Sequence, residues 1–326
     1  MTNNITPTNK LICEEVAAVE WENFHKSSPQ ATIFSTPLFV NSLAIDVRFI
    51  LVKKGREVVG GIPILHSGSD VLQPAYTINC GIHYADLSNL KSCKKTELEF
   101  KISEIIADHL FSHYDEAAFV NHPSVIDIRA FQWFNYGRKH ELGGYDIIPQ
   151  FTSWLNGSID SLSDGFRQSR RYDVNLAIKE GAAFQVGGSL KILDQLHRLT
   201  FERQKISRSI KDGYTLMTIC ENLIKAEKGE LFITFIKGTP VSASFWAFDK
   251  NFAYYLFGAS NPDFRHMGVG SHNVALSIEK LRLNKKINNY DFIGINSPNR
   301  GDFKLGFGGS VISYYKVVKI CAKKEL

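Results

Sequence analysis

The run from Pro240 to Gly309 constrains this chain more than any other, because strand, strand, glycine turn, helix and strand follow one another there without interruption. Residues 241–248 and 252–257 are apolar and rich in aromatics, and they flank the polar turn Asp249-Lys250-Asn251, which predicts a β-hairpin. Arg265-His266-Met267-Gly268-Val269-Gly270-Ser271 comes next and opens a helix that carries Val274, Ile278 and Leu281 at helical spacing. A short strand over 290–294 leads into a loop that ends Phe303-Lys304-Leu305-Gly306-Phe307-Gly308-Gly309. A turn of the form Arg-x-x-Gly-x-Gly between a strand and a helix N-terminus aims several backbone N–H groups at one point. Its glycines allow close approach and positive φ. With Arg265 as a fixed cation, the seven residues 265–271 suit an anion bearing two phosphates, and the pyrophosphate of coenzyme A is one candidate. The blander reading is an ordinary glycine turn capped by Ser271.

These residues resemble the core of the GNAT (Gcn5-related) acyltransferase superfamily, whose pyrophosphate loop has this form. Four further patterns resemble the double-GNAT branch, which includes the Fem-type peptidoglycan-bridge aminoacyltransferases. They are Ile126-Asp127-Ile128-Arg129 with Trp133, Phe166-Arg167-Gln168-Ser169-Arg170-Arg171 followed by Ala177 and Gly181, Leu199-Thr200-Phe201 with Arg203-Gln204, and Phe303-Lys304 followed by Phe307-Gly308. The resemblance runs from about residue 34 to residue 315. It implies an α/β fold of mixed sheets, made of tandem GNAT-like acyl-CoA N-acyltransferase domains packed around a cleft. It also implies acyl-CoA as a donor substrate, with no permanently bound cofactor.

Length agrees with two domains, since 326 residues exceed what one small core needs. The expected division is 1–144 and 145–309, with 310–326 as the piece that could complete the first domain and the acyl-donor loop in the second. The two halves share a rough order of helices, hairpin, glycine-containing loop, helix and strand, and a repeated unit is the stronger inference. Five scattered cysteines without a Cys-x-x-Cys pair give neither a disulfide framework nor a zinc site. The polar start lacks a signal peptide's form, and no apolar run is as long as a membrane span, so a cytoplasmic protein is expected. A net charge of +5 fits small polyanionic ligands and does not call for nucleic acid.

In the first half a hairpin is expected over 48–65 around Gly55. The loop 73–86 follows, whose Tyr84 and Asp86 are candidate acceptor-binding residues while His83 reads as a surface imidazole. Residues 95–113 predict a helix, and Asp127 with Arg129 reads as an ion pair or a substrate clamp. In the second half a long helix is expected over 161–181, with Ser or Asp as its cap.

Acyl transfer to an amine requires a neutral amine, a polarised carbonyl and alignment of the two. No Ser/His/Asp or Cys/His constellation and no Gly-x-Ser-x-Gly points to covalent catalysis, and no metal-ligand spacing is present. Tyr255 and Asp291, on the strands that flank the helix, are the candidate bases. Lys304 lies near the reacting groups in the resembling Fem-type enzymes, where an ammonium can stabilise an oxyanion or hold an acceptor phosphate. Arg170 and Arg171 are candidates for acceptor phosphate or carboxylate, and Trp246 for a wall of the donor groove. The function expected is an N-acyltransferase that moves an acyl group from coenzyme A, or a carrier-protein thioester, to a small amine such as an amino sugar of polysaccharide biosynthesis or a cell-envelope precursor. The alternatives are an aminoacyl-tRNA-dependent transferase and a non-catalytic binding protein of the same fold.

Overall fold

The computed structural model describes residues 10–157 and 162–322, which divide into two units. The first holds residues up to 150 and the last strand from residue 313; the second holds 151–312.

The first unit begins with β1 (Leu11–Val16) and α1 (Ala18–His25), followed by the single-turn α2 (Pro37–Val40). Thr36 caps that turn, its hydroxyl accepting from the Phe39 N–H at 3.3 Å with Pro37 at the first helical position. β2 (Asp46–Lys54) and β3 (Glu57–Ser67) form the expected hairpin, and Gly55 at φ +63° makes its turn. β4 (Asp70–Val71), β5 (His83–Tyr84), α3 (Ser92–His113) and β6 (Glu116–Val120) follow, then the short α4 (Arg129–Gln132) and α5 (Lys139–Leu142), and β7 (Gly144–Asn156), which continues into the second unit. α3 starts three residues before the expected 95. It buries Ile102, Ile106 and Leu110 against strands rich in Val and Ile.

In the second unit come α6 (Gln168–Lys179), β8 (Ala182–Val186), α7 (Leu190–Arg203), α8 (Ile210–Lys225), β9 (Gly229–Ile236), β10 (Thr239–Phe248), β11 (Ala253–Ser260), α9 (Val269–Lys285), β12 (Asn289–Asp291) and α10 (Pro298–Leu305). Its strands run in the order β7, β12, β11, β10, β9, β8. The helix expected over 161–181 is shorter at both ends. Residues 162–165 form a separate turn, and Ser161, a proposed cap, lies outside the described residues. The final strand, β13 (Ser310–Ile320), returns to the first unit, where Lys316, Val317 and Val318 pair antiparallel with Val120, Phe119 and Ala118. The core of the second unit gathers Phe232, Trp246, Val274, Ile278, Tyr290, Phe292 and Phe307, so the periodic positions of α9 face β10 and β12 as their spacing requires.

Candidate active site

β11 and β12 are the parallel pair of the second unit, and they touch only briefly. Ala253 pairs with Tyr290 and Tyr254 with Asp291. Beyond that the strands part. β11 continues along β10 to Ser260, whereas the chain after β12 turns to β7, where the Phe292 N–H donates to the Ser153 carbonyl (3.0 Å) and that of Ile295 to the Phe151 carbonyl (2.9 Å). Ile293 and Gly294 hold positive φ, +49° and +56°, at this divergence. Left-handed backbone is unfavourable for a β-branched residue and needs support from its surroundings.

Lys304, on the last turn of α10, occupies the split. Its Nζ donates to the Ile293 carbonyl and to that of Gly294 (3.0 Å), and lies 5.8 Å from the centroid of the Tyr255 ring. Burial lowers its pKa to about 8, with the charge of Arg300 acting in the same direction and that of Asp291 opposing. An ammonium has three N–H donors, and two serve these carbonyls, which leaves one for a ligand. Asp291 anchors the base of the split. Its Oδ1 accepts from the Thr152 hydroxyl (2.5 Å) and the Ile293 N–H (2.7 Å), and its Oδ2 from the indole N–H of Trp154 (2.8 Å). Burial raises its pKa while these donors pull it down. With three protein donors on its carboxylate and only 1% of the residue exposed, Asp291 is built into the floor of the split, which argues against its expected role as a base. Tyr255 packs between Trp246 (5.1 Å between ring centroids) and Phe292 (6.3 Å), and its hydroxyl has no hydrogen-bond partner among the described residues. Burial raises its pKa. It lies in the split, but as a phenol and not as a phenolate base.

The glycine turn has a different neighbour from the one expected. Gly268 (φ +71°) is buried against α6, and a Cβ on it would stand 2.6 Å from the Asp173 carbonyl carbon and 2.7 Å from its Cα. The Ser271 hydroxyl donates to Asp173 Oδ2 (2.8 Å) and accepts from Arg170 (2.9 Å), which also pairs with Asp173 (2.8 Å). Val269 is fully buried, packed with Ile236 and Val241. Gly268, Val269 and Ser271 therefore also seat α9, Gly268 against the α6 backbone, Val269 in the core and Ser271 on Asp173 and Arg170. Met267 is half-buried, Arg265 and His266 are exposed, and Gly270 faces the Ser260 hydroxyl and the Phe303 ring.

α6 is clipped to α10 as well. The Arg167 N–H donates to the Gly306 carbonyl (2.8 Å), Arg167 pairs with Asp302 (2.6 Å), and the Arg170 guanidinium lies 5.1 Å from the Phe303 ring. The Phe-Arg-Gln-Ser-Arg-Arg and Phe-Lys motifs thus meet in one place with the glycine turn. Arg171 is turned away, donating to the Asp164 and Phe166 carbonyls.

Several expected substrate contacts are core residues. Trp246 is fully buried with its indole N–H on the Ser244 hydroxyl (3.1 Å), so it cannot line a groove. Tyr84 is buried, its hydroxyl on that of Ser103 (2.7 Å). His83 is not a surface group: it is fully enclosed, bonded to Ser35 (3.0 Å) and the Gly81 carbonyl (3.0 Å), and burial lowers its pKa. Asp86 is exposed and caps the Ser88 N–H (3.0 Å). Arg129 pairs with Asp127 and lies against Phe100 and Trp133, lining a cavity of about 450 Å³ in the first unit. Thr152, Trp154 and Asp173 were not singled out from the sequence. Thr152 and Trp154 stand two apart on a strand, and Asp173 one turn after Arg170, spacings that put each pair on one side of its element. Among the described residues, no group of three His, Cys, Asp or Glu could hold a metal ion.

The family model for acetyltransferase (GNAT) domains matches residues 165–305, the segment that contains β11, α9, β12 and α10. Among solved structures, FemX is similar over 93% of this chain and 96% of its own, with a TM-score of 0.63 and 15% identity. A tandem GNAT protein from the clavulanic acid biosynthesis pathway is similar over 97% and 100%, with a TM-score of 0.56 and 13% identity. L-PGS from Bacillus licheniformis is similar over 96% and 94%, at 0.52 and 14%. No curated protein matches the sequence. Residues 165–305 thus match the acetyltransferase (GNAT) domain, in a chain with the fold shared by FemX and a tandem GNAT protein.

Proposed function

We propose that this protein transfers an acyl group from an activated ester or thioester to an amine, with the reacting carbonyl in the split between β11 and β12. The observation that carries the reading is Lys304, an ammonium fixed by two backbone carbonyls with one N–H unspent. As the neutral amine adds to the carbonyl, charge collects on its oxygen. A donor already oriented in a partly desiccated site stabilises that oxyanion more than it does the ground state. The phenol of Tyr255, free of other partners, can pass the amine's proton onward or hold the leaving group.

The seat of α6 on Gly268 bears on the donor. The close packing of Gly268 on the Asp173 backbone narrows the room beside the turn for coenzyme A. A donor whose activated end enters the split without a diphosphate on Gly268 fits the geometry better, and an aminoacyl ester or a carrier-protein thioester is such a donor. The Fem-like fold favours an amine-bearing cell-envelope precursor as acceptor. The test is transfer of a labelled acyl group from aminoacyl-tRNA, carrier-protein thioester and acyl-CoA to amine acceptors, read by mass for the wild type and for Lys304→Met. Transfer from one donor class that collapses in the variant supports the reading, and equal turnover by both proteins removes Lys304 from it.

A further inference from the structure

The connection between α7 and α8, residues 204–209, carries a surface that the reaction does not use. Ile206 is 53% exposed, Ile210 94% and Tyr214 69%. Ile210 opens α8 and Tyr214 stands one turn later, so both project from the same face. The projection is fixed in place. Ser209 accepts from the Asp212 N–H (3.0 Å) while Asp212 accepts from the Ser209 N–H (3.1 Å), a reciprocal cap. Arg208, whose side chain is 6% exposed, ties the loop to α7 through Asp194 (2.7 Å).

The surroundings are basic. Arg198, Arg203, Lys205, Lys211 and Arg265 are all exposed and have no ion pair among the described residues. The acids between 197 and 214 are Glu202 and Asp212, and Asp212 is engaged by the cap. Arg203 lies near enough to Arg265 for its charge to act there. An anionic partner would relieve that crowding. Nucleic acid would satisfy the cations, but nothing in it rewards two protruding isoleucines. A lipid bilayer with acidic headgroups takes both: phosphates meet the cations, and the interface accepts Ile206, Ile210 and the amphipathic Tyr214. No helix among the described residues is long and apolar enough to cross a membrane, so the contact is with a surface.

We propose that residues 198–214, with Arg265, dock the protein on an anionic bilayer surface through the α7–α8 connection. The inference is independent of the acyl-transfer reading. The test is co-sedimentation of the full chain with vesicles of phosphatidylcholine containing about 30% phosphatidylglycerol, and with phosphatidylcholine alone, at about 0.1 M and about 0.5 M salt. The expected result is partition onto the acidic vesicles, weakened by salt and absent without the acidic lipid. Arg203→Glu/Lys205→Glu/Lys211→Glu and, separately, Ile206→Ser/Ile210→Ser/Tyr214→Ser should each reduce that partition roughly tenfold or more. All six side chains are exposed, and melting curves check that the variants fold; the lipid and salt comparisons on the wild type need no variant. Equal partition onto both vesicle types overturns the proposal. So does an apolar variant that binds acidic vesicles like the wild type, or binding of bulk tRNA that the three glutamate substitutions abolish and the serine substitutions leave unchanged.

Discussion

Gly268→Ala separates the two uses of the glycine turn. A Cβ at Gly268 would lie 2.6 Å from the Asp173 carbonyl carbon, and the position holds φ +71°. The left-handed backbone costs an alanine roughly 1–2 kcal/mol. The overlap is with backbone and not with a flexible side chain, so α6 must shift, at about 1–3 kcal/mol by analogy with overpacked cores. Together the loss is roughly 2–5 kcal/mol, which for a unit of this size lowers its melting temperature by about 5–15 °C. Gly270→Ala is the control. Its Cβ would meet the Ser260 hydroxyl at 3.2 Å, a group able to rotate away, and the position is helical. Alanine's helix preference offsets the tight contact, and stability should stay within about 1 kcal/mol of the wild type. Calorimetry reads the second unit's transition, and hydrogen exchange reads the α6 amides, which should lose protection in Gly268→Ala alone. If the glycines exist to open a diphosphate cradle, the two substitutions should instead resemble each other, sparing stability and weakening acyl-CoA binding alike. A Gly268→Ala protein as stable as the wild type would refute the packing argument.

Lys304 gives a pH signature. Its folded pKa is lowered to about 8 from an unfolded 10.5, so between those values the unfolded chain binds more protons and stability rises with pH. Urea titrations should show that rise in the wild type and not in Lys304→Met, while transfer by the wild type should fall above about pH 8 as the ammonium is lost. Asp173→Ala removes the acceptor shared by Ser271 and Arg170; about 1–3 kcal/mol of stability should go, read by urea unfolding, with faster exchange at the start of α9. Tyr255→Phe should leave the melting temperature within a degree or two, because the hydroxyl makes no hydrogen bond among the described residues, yet slow transfer if it relays the proton. An unchanged rate would assign Tyr255 to packing alone.

How much of this was legible in the sequence follows from how local each signal is. The hairpins, α3 and α9 were readable because period-two and period-3.6 patterns record which face is buried. Gly55 and Gly268 were readable as turn residues, and both hold positive φ. What touches Gly268 was not readable. The contact comes from Asp173, far back in the chain, and a glycine that admits a ligand is the same letter as one that admits a helix. Trp246 and Tyr84 look like ligand-binding side chains because they are amphipathic. Ser244 and Ser103, which satisfy their polar ends internally, leave no trace in a linear reading. Lys304 was found through the Phe-Lys-x-x-Phe-Gly pattern. Its hold on the Ile293 and Gly294 carbonyls depends on β12 leaving β11 after two residue pairs, a divergence with no local sequence signal.

The most direct measurement is hydrogen exchange over residues 262–272 and 289–305, with and without aminoacyl-tRNA and, in parallel, acetyl-CoA. An activated donor that enters the split should slow exchange across 291–304 while leaving exchange at 268–272 unchanged. Slowing concentrated at 265–271, together with loosening of α6, would mean that a diphosphate takes the glycine turn after all and that Lys304 is not where the acyl group arrives.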